Sequence, residues 1–190
     1  MSIKENHSQS LSASKIRDAA LTAAMTAVIA VCSWITVPYT VPFTMQTFAV
    51  FLSLRLLGGK RGFISVILFV LLGAAGLPVF SGFRAGLGVL AGPTGGYITG
   101  FIFAAGLYWI AEKRLDRIIK VYFALFAGLF ICYLAGTLQF AAVMKASGTS
   151  YGFTGALAAC VLPYIIPDAV KIILAVTVAS RVAKAVKINE

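Results

Sequence analysis

Basic residues in this chain cluster between long apolar runs, and that alternation limits the folds open to it more than any motif does. Lys4, Lys15 and Arg17 precede the first run. Lys60 and Arg61 follow the second, and Lys113, Arg114, Arg117 and Lys120 follow the fourth. Arg181, Lys184 and Lys187 come after the last. The intervening turns hold only Arg84 and Lys145. With 60% hydrophobic and 12% charged residues, the chain carries about half the charge of an ordinary soluble domain. The pattern predicts an all-α integral membrane protein, a six-transmembrane-helix bundle. Its membrane domain spans 14–183, between cytoplasmic tails at 1–13 and 184–190. The basic clusters all fall on one face if there are six spans, so both termini are expected in the cytoplasm.

The same clustering argues against nucleic acid as a partner, because a net charge of +10 spread over several turns forms no continuous basic patch. The polar start, Met1 to Ser14, precedes no small-residue cleavage site and reads as a tail. Cys32, Cys132 and Cys160 are far apart within apolar runs, and the one histidine, His7, is in the tail. Neither a metal site nor a disulfide framework is expected, and no cofactor.

Taken in order, helix 1 is expected from Ser14 to Thr36. Ala19, Ala23 and Ala27 recur every four residues, with Ala20 and Ala24 on the adjoining strip. In lipid such a stripe permits close approach of another helix, inside the bundle or from a partner protein. Two prolines then break the chain over 37–42. Further helices are expected at 44–57, 63–77, 94–111 and 118–144. Between them come a basic turn at 58–62 and a charged turn at 112–117. A polar turn at 145–150 precedes a final helix within 153–180. Residues 73–100 hold nine of the eighteen glycines. Irregular backbone at membrane depth is tolerated only where protein buries it or it lines a cavity, so this loop, with Arg84, is a candidate cavity wall. Gly86-x-Gly88-x-x-Ala91 has dinucleotide-site lettering without the βαβ context, and Gly58-Gly59-Lys60-Arg61 lacks the first glycine and the hydroxyl of a phosphate loop.

The final apolar segment contains Pro167-Asp168-x-x-Lys171, and Asp168 is the only acid between Asp116 and Glu190. Pro167 suits the first position of a helix. Asp168 then falls in the first turn, with Lys171 one turn on and on the same face. Inserting either charge in a span costs roughly 2.5–3.5 kcal/mol, so the pair has a use, as an interhelical tie or as part of a ligand site. If both termini are cytoplasmic, the 37–46 stretch with Phe43 and Gln46, the glycine-rich loop, Tyr97 and Asp168 all lie toward the outer face. A substrate pocket is expected there. Catalysis is not: no buried histidine can serve a serine, and Asp168 has no second carboxylate for an aspartyl dyad. A selective pore would need a repeated ring of charge that is absent.

Four motifs in order carry a resemblance: Val41-Pro42-Phe43-Thr44-Met45-Gln46-Thr47-Phe48, Gly76-Leu77-Pro78-Val79-Phe80, Gly92-Pro93-Thr94-Gly95-Gly96-Tyr97 and Asp168-x-x-Lys171. Together, over about 17–183, they resemble the BioY family, the biotin-specific S component of energy-coupling factor transporters. The resemblance implies biotin as ligand. It also implies a transmembrane coupling subunit and two cytoplasmic ATPase subunits as partners, with Ala19, Ala23 and Ala27 as the docking stripe. Asp168 and Lys171 carry over as binding residues, and Gln46, Arg84, Tyr97 and Phe43 join them. Asp168 is expected to accept from a ureido N–H, and Lys171 or Arg84 to hold the valerate carboxylate. The alternative is a stand-alone solute transporter or channel working without ATPases. Two departures stand out. Pro167 replaces a common family glycine before the aspartate, and Phe83 and Ala85 replace glycines flanking the arginine.

Overall fold

The computed structural model describes residues 2–39, 41–149 and 152–186, with side chains from residue 14 onward except those of 152, 153 and 186. Thr40, Ser150 and Lys187, which entered the readings above, lie outside these residues, and of Lys4 and His7 only the backbone falls within them. Eight α-helices occur among the described residues: α1 (Ser2–Trp34), α2 (Gln46–Leu57), α3 (Gly59–Ala74), α4 (Leu87–Ala91), α5 (Gly95–Ala111), α6 (Ile118–Ala146), α7 (Gly152–Cys160) and α8 (Ile165–Val186). Two short strands, β1 (Thr36–Val37) and β2 (Phe43–Thr44), pair antiparallel with Thr36 opposite Thr44. The stretches Ser14–Trp34, Ile118–Ala146 and Thr154–Ala185 are long and apolar enough to cross a membrane, and α2 is apolar but shorter.

Three of the differences from the sequence expectation have a clear local reason. Helix α1 begins at Ser2 instead of Ser14, because no glycine or proline between them stops it. The expected basic turn at 58–62 shrinks to Gly58 alone. Its φ of 83° lies in the left-handed region, which glycine enters without a Cβ penalty. Lys60 and Arg61 then fall in the first turn of α3, and Glu112 Oε1 accepts from the Gly59 N–H at 2.7 Å, satisfying one of the free donors there. The final helix is broken. Helix α7 ends at Cys160, a 3-10 turn covers Leu162–Tyr164, and α8 starts at Ile165. Pro163 has no N–H and clashes with the preceding turn, so a continuous helix cannot pass it. Pro167 is therefore third in α8, not first, still within the turn whose N–H groups have no helical partner.

In α1, Thr22, Met25, Thr26, Ile29 and Ser33 are buried along one face. Thr26 Oγ1 donates to the Ser65 carbonyl at 3.2 Å, and Ser65 Oγ to the Thr22 carbonyl at 3.1 Å, tying α1 to α3. Ala19, Ala20, Ala23, Ala24 and Ala27 consequently face outward, and all five are exposed. Helix α2 packs on α8, and α5 packs along α6. That second contact depends on a close approach at Gly136, where an added Cβ would lie 2.3 Å from the Tyr97 ring. Gly136→Ala is expected to cost about 1–3 kcal/mol through overpacking. It should lower the thermal unfolding midpoint of the detergent-purified protein, and an unchanged midpoint would show that the ring yields without cost.

Candidate functional site

The first two turns of α8 carry the buried charges among the described residues. Lys171 Nζ lies 2.8 Å from Asp168 Oδ1, and the two side chains are 5% and 6% exposed. It is the one fully buried ion pair among the described residues; Asp18–Arg61 and Asp116–Lys120 are partly or largely exposed. Helix α6 supplies the second partner of the carboxylate, since the Tyr133 hydroxyl donates to Asp168 Oδ2 at 2.7 Å. The strand pair supplies the rest. Lys171 Nζ donates to the Thr44 carbonyl at 2.6 Å and sits 3.7 Å above the centre of the Phe43 ring. The Tyr164 hydroxyl donates to the Val41 carbonyl, and its ring stacks on Phe43. A charge pair in a low-dielectric interior persists only when both members are hydrogen-bonded as well as paired, and these contacts meet that requirement.

The pair lines a cavity of about 690 Å³, counting its open mouth. Gln46 and Thr47 of α2 form one wall, and Phe80, Ser81 and Arg84 of the glycine-rich segment form another. Tyr97 of α5, then Cys132 and Tyr133 of α6, close the third side. The four regions that the sequence pointed to are therefore brought together. Asp168, Lys171, Gln46, Tyr97 and Arg84 all line the cavity, while Phe43 is absent from its lining and instead supports Lys171 from behind.

The roles these residues can take differ. Gln46 is 5% exposed, and its Nε2 has no hydrogen-bond partner among the described residues, so a buried donor waits at the cavity wall. The Tyr97 hydroxyl lies 3.4 Å from both Thr137 Oγ1 and the Cys160 carbonyl. Arg84 is exposed. Its Nε donates to the Ser81 carbonyl at 3.1 Å, and among the described residues it is the one charge lining the cavity outside the buried pair. The replacement of a flanking glycine does not draw Arg84 away from the cavity. Phe83 takes a φ of 57°, a left-handed conformation that glycine adopts more readily, and stacks on Trp34 at 5.0 Å.

Tyr133, Tyr164 and the Thr44 carbonyl were not singled out from sequence. A signal existed for the first. Tyrosines in spans favour the two interfaces, whereas Tyr133 stands midway along Ile118–Ala146. Backbone acceptors such as Thr44 O leave no mark in a sequence.

Comparison with known proteins identifies the family. The BioY family model matches residues 5–188. The biotin transporter BioY of Thermotoga maritima is 40% identical over 162 residues, covering 84% of this chain and 91% of its own. A probable biotin transporter BioY of Pyrococcus horikoshii is 36% identical, covering 88% and 96%. Among solved structures, the crystal structure of the S-component for biotin from an ECF-type ABC transporter superposes with a TM-score of 0.79. It is 26% identical and covers 90% of this chain and 93% of its own. Helices, cavity and buried pair occur together in a chain matched almost end to end, and the chain belongs to the BioY family.

Proposed function

We propose that this chain is the substrate-binding S component of an energy-coupling factor transporter and captures biotin for ATP-driven uptake. One observation carries the reading to the residue level: the single fully buried ion pair among the described residues lines the cavity of a BioY-family chain. Burial of two charges is expensive in a chain this apolar, and a ligand that uses them accounts for their place. Biotin presents a ureido ring with two N–H donors and a carbonyl, a fused sulfur ring and a valerate carboxylate. Asp168 retains lone pairs beyond those taken by Lys171 and Tyr133, so it accepts from a ureido N–H. Gln46 Nε2 is suited to donate to the ligand's carbonyl oxygen, and Tyr97 to flank the rings.

The chain is a multi-pass membrane protein. In this reading the membrane domain covers 14–183 and crosses six times, with cytoplasmic tails at 1–13 and 184–190. The spread of Lys60, Arg61, Lys113, Arg114, Arg117, Lys120, Arg181 and Lys184 supports placing both termini in the cytoplasm. The cavity, built from the opposite ends of the helices, then opens outward. Energy comes from a transmembrane coupling subunit and two cytoplasmic ATPase subunits. The exposed face of Ala19, Ala23 and Ala27 is the docking stripe for the coupling subunit, because small side chains let helices approach within lipid.

A thermal-shift panel of the purified chain with biotin, other vitamins and no ligand tests the reading. Binding to the folded state raises the unfolding midpoint by an amount that grows with the logarithm of ligand concentration above Kd. Biotin alone should raise it at micromolar concentration. A shift with another vitamin and none with biotin would overturn the substrate assignment.

A further inference from the structure

We infer that Gln139 is a positioning residue: its amide clamps the end of α4 to α6, fixes the Val89–Thr94 side of the cavity wall, and so sets how long a ligand stays bound. The inference rests on the S-component reading above and deepens it, because Gln139 does not itself line the cavity. Its side chain is half-buried on α6, and a carboxamide has two N–H donors on one nitrogen. Both have acceptors in the same short stretch. Gln139 Nε2 donates to the Leu90 carbonyl at 2.7 Å and to the Gly92 carbonyl at 2.8 Å. These lie at the C-terminal end of α4, where carbonyls have no partner within the helix.

The clamp matters because α4 has little else to hold it. Five residues make too short a helix to persist without tertiary contacts. Val89 and Leu90 pack against the main core, whereas Leu87 is 70% exposed and Gly88 is exposed as well. Val89 lines the cavity, so at this point the wall is one helix thick between the cavity and the surroundings. Upstream, the segment is fastened to α1 and α3. Ser33 Oγ donates to the Val79 carbonyl, the Trp34 indole N–H to the Pro78 carbonyl at 2.9 Å, and the Gly86 N–H to the Gly73 carbonyl at 2.7 Å. Downstream, Gln139 is the side chain that fastens it.

The same face of α6 sets the rest of this wall. Cys132, Gly136 and Gln139 are spaced four and three residues apart and so share that face. Cys132 Sγ donates to the Tyr97 carbonyl at 3.3 Å, and Gly136 lies under the Tyr97 ring. The corner leaves no room for another tether: a Cβ added at Gly95 would run into the Leu90 carbonyl and come within 2.7 Å of Gln139 Nε2. Without the two donors, the end of α4 should open locally while the long helices keep their packing. Val89 and Thr94 would then no longer be held against a bound ligand, and the ligand should leave faster.

The test uses the full-length purified protein, with biotin as the probe. Amide hydrogen exchange is followed without ligand, and biotin association and dissociation rates are measured by stopped flow. The variants are Gln139→Met, Gln139→Asn and Thr26→Val. Gln139→Met keeps the length and removes both donors. It should raise exchange over 87–92 and speed biotin dissociation roughly tenfold, with little change in association. Gln139→Asn cannot span the same two carbonyls, so it should move both readings in the same direction but less far. It also keeps the test decisive if Gln139→Met does not fold. Thr26→Val removes a tie between α1 and α3 away from the cavity. It should lower the unfolding midpoint yet leave dissociation and exchange over 87–92 as in the wild type, which separates positioning from general loss of stability. Wild-type exchange over 87–92 in the folded Gln139 variants would overturn the inference. So would wild-type dissociation in those variants, or an equal acceleration in Thr26→Val. Wild-type protein that binds no biotin would instead overturn the S-component reading, while the exchange measurement, which needs no ligand, would still decide whether Gln139 holds α4.

Discussion

Asp168→Asn is expected to leave a folded chain that binds biotin at least about a hundredfold more weakly. Breaking one side of a buried pair costs about 3–5 kcal/mol, because the surviving charge keeps its desolvation penalty and loses its partner. Here the survivor is Lys171, whose other contacts are the Thr44 carbonyl and the Phe43 ring. The amide carries no charge. Its NH2 group, turned toward a ureido N–H, would set a donor against a donor. Part of the loss falls on folding and part on binding, so two measurements are needed: the unfolding midpoint without ligand and the calorimetric affinity for biotin. A variant with a lowered midpoint but wild-type affinity would falsify the ligand contact. Asp168 would then serve only as the tie between α8, α6 and the strand pair. The amide-for-carboxylate change is preferable to Asp168→Ala because it keeps the volume and leaves no cavity to complicate the midpoint.

Ala23→Trp is expected to abolish biotin uptake while leaving biotin binding intact. Ala23 is exposed at the centre of a face that also holds Ala19, Ala20, Ala24 and Ala27. The buried face of the same helix is occupied by Thr22, Met25, Thr26 and Ile29, against α3 and α2. An indole at position 23 therefore meets no part of this chain's core. Helices in lipid associate through close packing and have little hydrophobic drive, so one large side chain in a small-residue seam is enough to separate two backbones. Uptake should fall to background in cells carrying the coupling and ATPase subunits, and the variant should fail to copurify with them. Its biotin affinity as an isolated protein should match the wild type. Joint loss of binding and uptake would show that the stripe supports the bundle itself. Uptake at the wild-type level would move docking to another face.

Much of the site could be read from the chain because charges and prolines are costly in lipid wherever they occur. Asp168 and Lys171 stood out on insertion energy alone, a quantity set by the residue and its apolar neighbours. The break after Val37 and the irregular 73–100 stretch followed from Pro38, Pro42 and the glycines, again through local backbone chemistry. The break at Pro163 follows the same rule, and a final helix starting at Pro167 already lies past it; the separate helix α7 ahead of the break is what the sequence reading lacks.

Local chemistry alone determined the class of protein, the approximate helices, and the two buried charges with their spacing of one turn. These depend on hydropathy, dihedral restriction and helical period, all carried by a few neighbouring residues. Only the tertiary structure decided what those charges touch. Tyr133 reaches Asp168 across 35 positions, and Lys171 reaches the Thr44 carbonyl across 127. Tertiary structure also decided which stripe of α1 faces outward. Both stripes are built largely from small residues, and the inward one is tied to α3 by the Thr26 hydroxyl donating to the Ser65 carbonyl and the Ser65 hydroxyl donating to the Thr22 carbonyl. Such contacts depend on how helices cross and how closely they approach, which is fixed at places like Gly136 against the Tyr97 ring. No window of a few residues contains both sides of such a contact, so that part of the site exists only once the helices have packed.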